Sequence, residues 1–226
     1  MTPGPILTVK VPGCKTPLML DTIASGNTFG ATFWTDFKCD APMMPDDPWL
    51  KKHPVENVLF WSDDYELIES IEPEELMERQ KLERLNLGVW EYYNRPKEDE
   101  IPFAENPDEA DYFFALKSGM ADSKDKLCEL RMKLWWAGND AIRKGEVDAL
   151  SKEHLENLVS IIALFDEDTP PHRLLRAEAF REQGLFKEAL ALLDIGGFDH
   201  RQAHATFIAS LCFAKDRRVA KIPGDH

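Results

Sequence analysis

Two histidines, His200 and His204, stand four residues apart in a stretch that reads as a helix, which would put both imidazoles on one face at a spacing a metal ion can bridge. No glutamate lies between them and no third ligand follows, so surface or capping roles account for them more simply. Asp36, Asp40, Asp46 and Asp47 fall in a segment rich in Phe, Trp and Met, and carboxylates beside aromatic rings are the ingredients of a glycosidase or divalent-cation site. Asp-Ala-Pro and Pro-Asp-Asp-Pro are also turn sequences, and turn chemistry explains the same residues with fewer assumptions. Asn139 and Asp140, directly after Trp135-Trp136-Ala137-Gly138, are expected to form a buried polar pair that pins neighbouring loops. There is no phosphate-cradling glycine loop, no Gly-x-Ser-x-Gly elbow and no Cys–His pair within a local motif, so no catalytic or cofactor-binding residue is assigned.

Cys14, Cys39, Cys128 and Cys212 are far apart with no framework-like spacing, which predicts reduced thiols. No apolar run reaches 18 residues, and the opening MTPGPILTVKVPG has neither a basic start nor a sustained apolar core. The expectation is a cytoplasmic protein without membrane association. Charge is unevenly distributed: residues 1–62 carry 6 acids and 5 bases, 63–120 carry 17 and 6, and 121–226 carry 18 and 16. The middle segment would repel phosphate backbones, which argues against nucleic acid as a partner and favours a basic protein.

The element positioning most of these residues is the stretch from Asp122 to Gly145. Leu127, Leu130, Leu134, Gly138, Ala141 and Ile142 form a core-facing stripe, and Cys128, Met132 and Trp136 form a second stripe beside it. A helix covered on two sides is a central one.

At the N-terminus, residues 6–11 and 18–23 alternate and are β-branched, which predicts a small hairpin; residues 55–61 read as a closing strand. The intervening SGNTFGATFWTDFKCDAPMMPDDPWLKKHP is too rich in Gly, Asn, Asp and Pro for a helix, and its aromatic density predicts an ordered loop whose burial supports the front module. This segment resembles the N-terminal part of an uncharacterised bacterial family with a zinc-ribbon-like module, in which two CPxC knuckles bracket a loop much like SGNTFGATFWTD and APMMPD. The resemblance places the knuckles on Val11-Pro12-Gly13-Cys14 and His53-Pro54-Val55-Glu56. Four expected thiolates thus become Val11, Cys14, His53 and Glu56, with Cys39 as a candidate replacement. Structural zinc needs about four ligands and favours thiolates, so no bound metal is expected and zinc is the one cofactor the remnant Cys14, Cys39, His53 and Glu56 could hold.

From Asp63 the pattern turns helical. Pro73, Glu74 and Glu75 suit a first turn, and Leu76, Leu82, Leu85, Val89 and Tyr92 or Tyr93 are expected to form a buried stripe. After the polar link 96–106, Asn106 is the expected N-cap of a helix ending at Gly119, with Tyr112, Phe113 and Leu116 inward. Ser151 is the expected cap of a helix burying Leu155, Leu158, Val159, Ile162 and Phe165. Ala177, Phe180, Gly184, Phe186, Ala189 and Leu193 resemble one tetratricopeptide hairpin, at about 170–195, although the early aromatic position holds Arg173. A last helix is expected to be capped by Asp199 and to bury Ala203, Phe207 and Leu211.

The expected fold is α+β, mostly α: a degenerate zinc-ribbon-like β module at 1–62 and an antiparallel helical domain at 63–226. The expected function is a non-enzymatic protein-interaction module with a basic partner. The alternatives are a metal-binding or redox protein using Cys14, His53 and Glu56, or an acidic neutraliser of a basic toxin.

Overall fold

The computed structural model describes residues 1–87, 101–166 and 168–224. Among them are nine short strands followed by seven α-helices, which is the mixed α+β order read from the sequence. The strands are β1 (Thr2–Pro3), β2 (Ile6–Lys10), β3 (Leu18–Leu20), β4 (Ile23–Ser25), β5 (Thr32–Phe33), β6 (Cys39–Asp40), β7 (Leu50–His53), β8 (Val58–Trp61) and β9 (Glu66–Ile71). The helices are α1 (Pro73–Leu87), α2 (Glu109–Lys117), α3 (Lys124–Arg143), α4 (Lys152–Ile162), α5 (Pro170–Glu182), α6 (Phe186–Asp194) and α7 (Gln202–Phe213).

Two compact units form, and their borders differ from a single break after Ser62. The first takes Met1–Thr28 and Asp47–Pro107, and the second takes Phe29–Asp46 and the chain from Asp108 onward. One cause is β9, which lies in the stretch read as helical but pairs antiparallel with β2, from Ile6↔Ile71 to Lys10↔Glu66. The other cause is the aromatic loop, of which Phe29–Asp46 belongs to the helical unit.

In the first unit the expected hairpin is present as β2–β3, with Leu7 opposite Leu20 and Val9 opposite Leu18. Together with β9 it makes a sheet of order β3-β2-β9. The closing strand β8 pairs with β7, which falls inside the segment expected to be loop. The apolar core here is Val9, Val11, Cys14, Leu18, Leu20 and Phe60. Helix α1 starts at Pro73 with Glu74 and Glu75 in its first turn, as expected. Its predicted inner face is a correction: Leu82 and Leu85 are 53% and 70% exposed. Around the helix axis Leu76, Met77, Leu82 and Leu85 scatter instead of lining one stripe, so no single face can bury them. Val89, Tyr92 and Tyr93 lie outside the described residues.

In the second unit α3 is capped by Ser123 and buries Leu130, Leu134, Trp135, Gly138 and Asn139. Helix α2 begins two residues later than expected, with Asp108 as its N-cap in a reciprocal capping box with Asp111. Ser151 caps α4 as expected, but Ile161 is buried where Val159 was expected, and Val159 is 60% exposed. Helices α5 and α6 form a hairpin around Gly184, whose φ of 82° favours glycine, with Ala177 and Ala189 fully buried in one core with Leu174, Leu193 and Ile208. The last helix is also corrected. Asp199–Arg201 is a 3-10 turn and α7 buries Ala205, Ile208 and Cys212, while Ala203 is exposed. The 3-10 turn rotates the following helix relative to a continuous one, which shifts the inward positions.

Candidate functional site

The two knuckle segments are tight turns. Gly13 takes φ 83° while Cys14 N–H donates to Val11 O at 3.1 Å, and Asn57 takes φ 55° while its N–H donates to His53 O at 2.8 Å. These turns bring one ligand atom each of Cys14, His53 and Glu56 within 4.8 Å of one another. Cys39 is not in the group; it sits on β6, opposite Phe33, in the helical unit.

The donor set does not fit a tetrahedral zinc. Glu56 Oε1 accepts from Lys15 N–H at 2.8 Å, Thr16 N–H at 2.9 Å and the Thr16 hydroxyl at 2.7 Å. The Thr16 amide and hydroxyl hold this carboxyl below the usual carboxylate range. His53, fully buried, accepts from Glu56 N–H at Nδ1 over 3.3 Å and has Nε2 at 3.1 Å from Thr16 O, which fixes Nε2 as the protonated nitrogen. Burial, then the Glu56 charge, pushes the Cys14 thiol up, away from the thiolate a metal needs. Val11, at the fourth position, is packed among Val9, Leu18 and Phe60. The Glu56 carboxylate and the His53 ring are thus engaged in closing the second turn onto residues 15–16.

The aspartates of the aromatic loop do not assemble into one site. Asp40 accepts from Trp34 Nε1 at 2.7 Å, Asp46 pairs with Lys133, and Asp47 pairs with Lys51. Asp36 is different: it is fully buried, with Asn139 Nδ2 donating to it at 2.8 Å and Arg143 paired to the same carboxylate. Lys38 bridges Asp140 at 2.7 Å, and Trp136 Nε1 donates to Asp36 O at 3.0 Å. Asn139 is buried as expected and Asp140 only partly so, yet each holds a different residue of 36–38, and the pair pins that loop. Phe37, at φ 65°, is partly buried and packs against the core of the α5–α7 helices.

The loop's aromatics are only partly buried, which corrects the expectation that they support the front module. Phe29, Met43, Met44 and Trp49 are exposed, and Asp36 and Thr35 hold residues 35–36 to the helical unit through Asn139, Arg143 and Ala220.

The buried network continues beyond Asp36. Asn139 Nδ2 also donates to Glu182 Oε1 at 3.0 Å, and Trp135 Nε1 donates to Glu182 Oε2 at 2.7 Å. Arg181 grips Glu178 through Nε at 2.7 Å and Nη2 at 2.5 Å, and donates to the backbone oxygens of Asp216 and Arg218. Burial, and next the Glu178 and Asp36 charges, push the Glu182 carboxyl well above the usual range. The sequence signal for this network is the row Trp135, Asn139, Arg143 at helical spacing: a polar stripe on a core-facing side calls for buried carboxylates.

His200 is exposed in the 3-10 turn, whereas the ring of His204 stacks on Phe37 with centroids 6.1 Å apart, so the two share no ligand position. All four cysteines are free, and burial pushes the Cys212 thiol up to about 11. No described helix is long and apolar enough to cross a membrane.

No family model, curated protein or solved structure matches this chain.

Proposed function

We propose that this chain is a non-enzymatic protein-interaction module for a basic partner. Its front unit is read as zinc-ribbon-like knuckles closed by hydrogen bonds in place of metal, and its helical hairpin as tetratricopeptide-like. The observation that carries the proposal is the surface of β9 and α1. Leu67, Ile68, Met77, Leu82 and Leu85 are each more than half exposed, inside a stretch, 63–87, that holds nine acids and three bases. Single exposed apolar side chains are ordinary, but here Leu67 and Ile68 stand adjacent on β9 and three more are distributed around α1, which leaves apolar surface in this stretch for a partner to cover. The acidic surround adds long-range attraction for a positively charged protein and repulsion of phosphate backbones.

The hairpin of α5 and α6 supports the same reading, because its small residues Ala177 and Ala189 let two helices approach closely, as in helical scaffolds that present surfaces to partners. Affinity capture with the purified chain at low salt tests the proposal. A partner retained by the wild type, and lost both at high salt and from a Met77→Ser, Leu82→Ser, Leu85→Ser variant, is the expected result. Recovery of nothing at low salt, where charge attraction is strongest, overturns it.

A further inference from the structure

The sheet β3-β2-β9 has two unlike edges. On the β3 side, residues 102–104 run alongside, with Met19 N–H donating to Pro102 O and Ala104 N–H donating to Met19 O, each at 2.8 Å. On the other side β9 pairs, among the described residues, with β2 and with no further strand. Five of its six residues are exposed; Ile71 is the buried exception. We propose that this open edge receives an extended, basic segment of a partner protein as an added strand. The inference deepens the protein-interaction reading and rests on it.

Side chains along the edge say what kind of segment fits. The pairing steps from Thr8↔Glu69 to Val9↔Leu67, which leaves Ile68 as the extra residue of a bulge. Leu67 and Ile68 are 54% and 56% exposed at that point, so the strand offers apolar contact beside an edge with no second strand partner among the described residues, the combination that templates strand addition. Charge then selects the occupant. Asp63, Asp64, Glu66, Glu69, Glu72, Glu74 and Glu75 lie on or beside the strand. Arg79 neutralises two of them in part, at 3.0 Å from Glu69 and 2.8 Å from Glu75, while Glu66 and Glu72 have no cationic partner among the described residues. A second copy of this chain would bring the same acids against one another, and like charges across a strand pair destabilise it. A segment alternating Lys or Arg with β-branched residues meets both the apolar and the charge requirement.

A synthetic peptide of about eight residues alternating Lys with Val, about the length of an ordinary strand, tests the site against a Glu/Val counterpart. The full-length chain is titrated with each at low salt, and amide hydrogen exchange is read with and without peptide. The Lys/Val peptide is expected to bind, to weaken at high salt, and to slow exchange at residues 66–71. Glu66→Lys with Glu72→Lys should weaken it by about tenfold, roughly the loss of two exposed charge pairs, and Leu67→Ser with Ile68→Ser should weaken it independently. All four positions are exposed, so these variants leave the core intact.

Equal binding of both peptides, absence of binding, or a chain that dimerises with protection at β9 overturns the proposal. Binding of a basic protein with exchange slowed elsewhere also overturns this site while the broader interaction reading stands. Failure of the chain to capture any partner at low salt removes both.

Discussion

Replacing Glu182 with glutamine should abolish a pH dependence of stability that the wild-type chain carries. Glu182 is 2% exposed, and its partners are the Trp135 indole N–H at 2.7 Å and the Asn139 amide at 3.0 Å, both neutral donors. The two guanidiniums nearby are committed, Arg181 to Glu178 and Arg143 to Asp36 and Asp140. Three buried carboxylates, Asp36, Glu178 and Glu182, thus face two cations; burial pushes both Asp36 and Glu182 up, and the Arg143 charge offsets part of this at Asp36, whereas Glu182 has no ion pair of its own. Its folded pKa lies above the unfolded value, so from the ordinary carboxylate range upward the folded chain holds a proton that the unfolded chain has released. Stability from this group is fully present below the unfolded pKa and declines as pH rises toward the folded one. Between the unfolded and the folded pKa the slope is about 1.4 kcal/mol per pH unit for one proton. The glutamine side chain has no proton to lose, so urea unfolding followed by tryptophan fluorescence should show the Glu182→Gln variant gaining on the wild type by that slope as pH rises. Parallel pH profiles for the two proteins would refute the assignment of the proton to Glu182.

Three further outcomes follow from other contacts. Arg143→Ala strands the fully buried Asp36 carboxylate and should cost about 3–5 kcal/mol in denaturant unfolding, the range for breaking one side of a buried pair. Gly138→Ala would ordinarily stabilise a helix interior by about 1 kcal/mol, but the new Cβ would meet His154 Cδ2 at 2.4 Å. That ring is held by Ser151 at 2.9 Å and packs edge-on to Phe113, so the substitution should instead lower stability by about 1–3 kcal/mol, measured as a drop in Tm or urea midpoint. Chelator should leave the melting of the purified chain unchanged, because Glu56 and His53 already satisfy the turns that zinc would join; equimolar zinc in freshly isolated protein, with chelator-induced unfolding, would reverse that view.

Much of the helical unit is legible in the sequence because its signals are local. Ser151 as a cap, Gly184 in a hairpin and the inward stripe of α3 all depend on residues within a few positions of one another, as does Pro73 in the first turn of α1 in the other unit. The Asn139–Asp140 pair is legible for a related reason, since polar residues after two tryptophans on a core-facing helix must find partners nearby. What the sequence does not disclose is non-local. Strand β9 needs β2, 56 or more residues away, to be a strand at all, and its six residues alone do not distinguish an exposed edge from the lead-in to α1.

Composition, charge distribution and 3.6-residue periodicity therefore determined that this is a strand-then-helix protein with an acidic middle segment and free thiols. Tertiary structure decided which unit owns the aromatic loop, because that outcome turns on one carboxylate: Asp36 is stable in the interior only where Asn139 and Arg143 meet it, and no local pattern records that encounter. It likewise decided that the knuckle residues bond to one another. Whether His53 and Glu56 face a metal or the backbone of Lys15 and Thr16 depends on how two turns about 40 residues apart are set side by side.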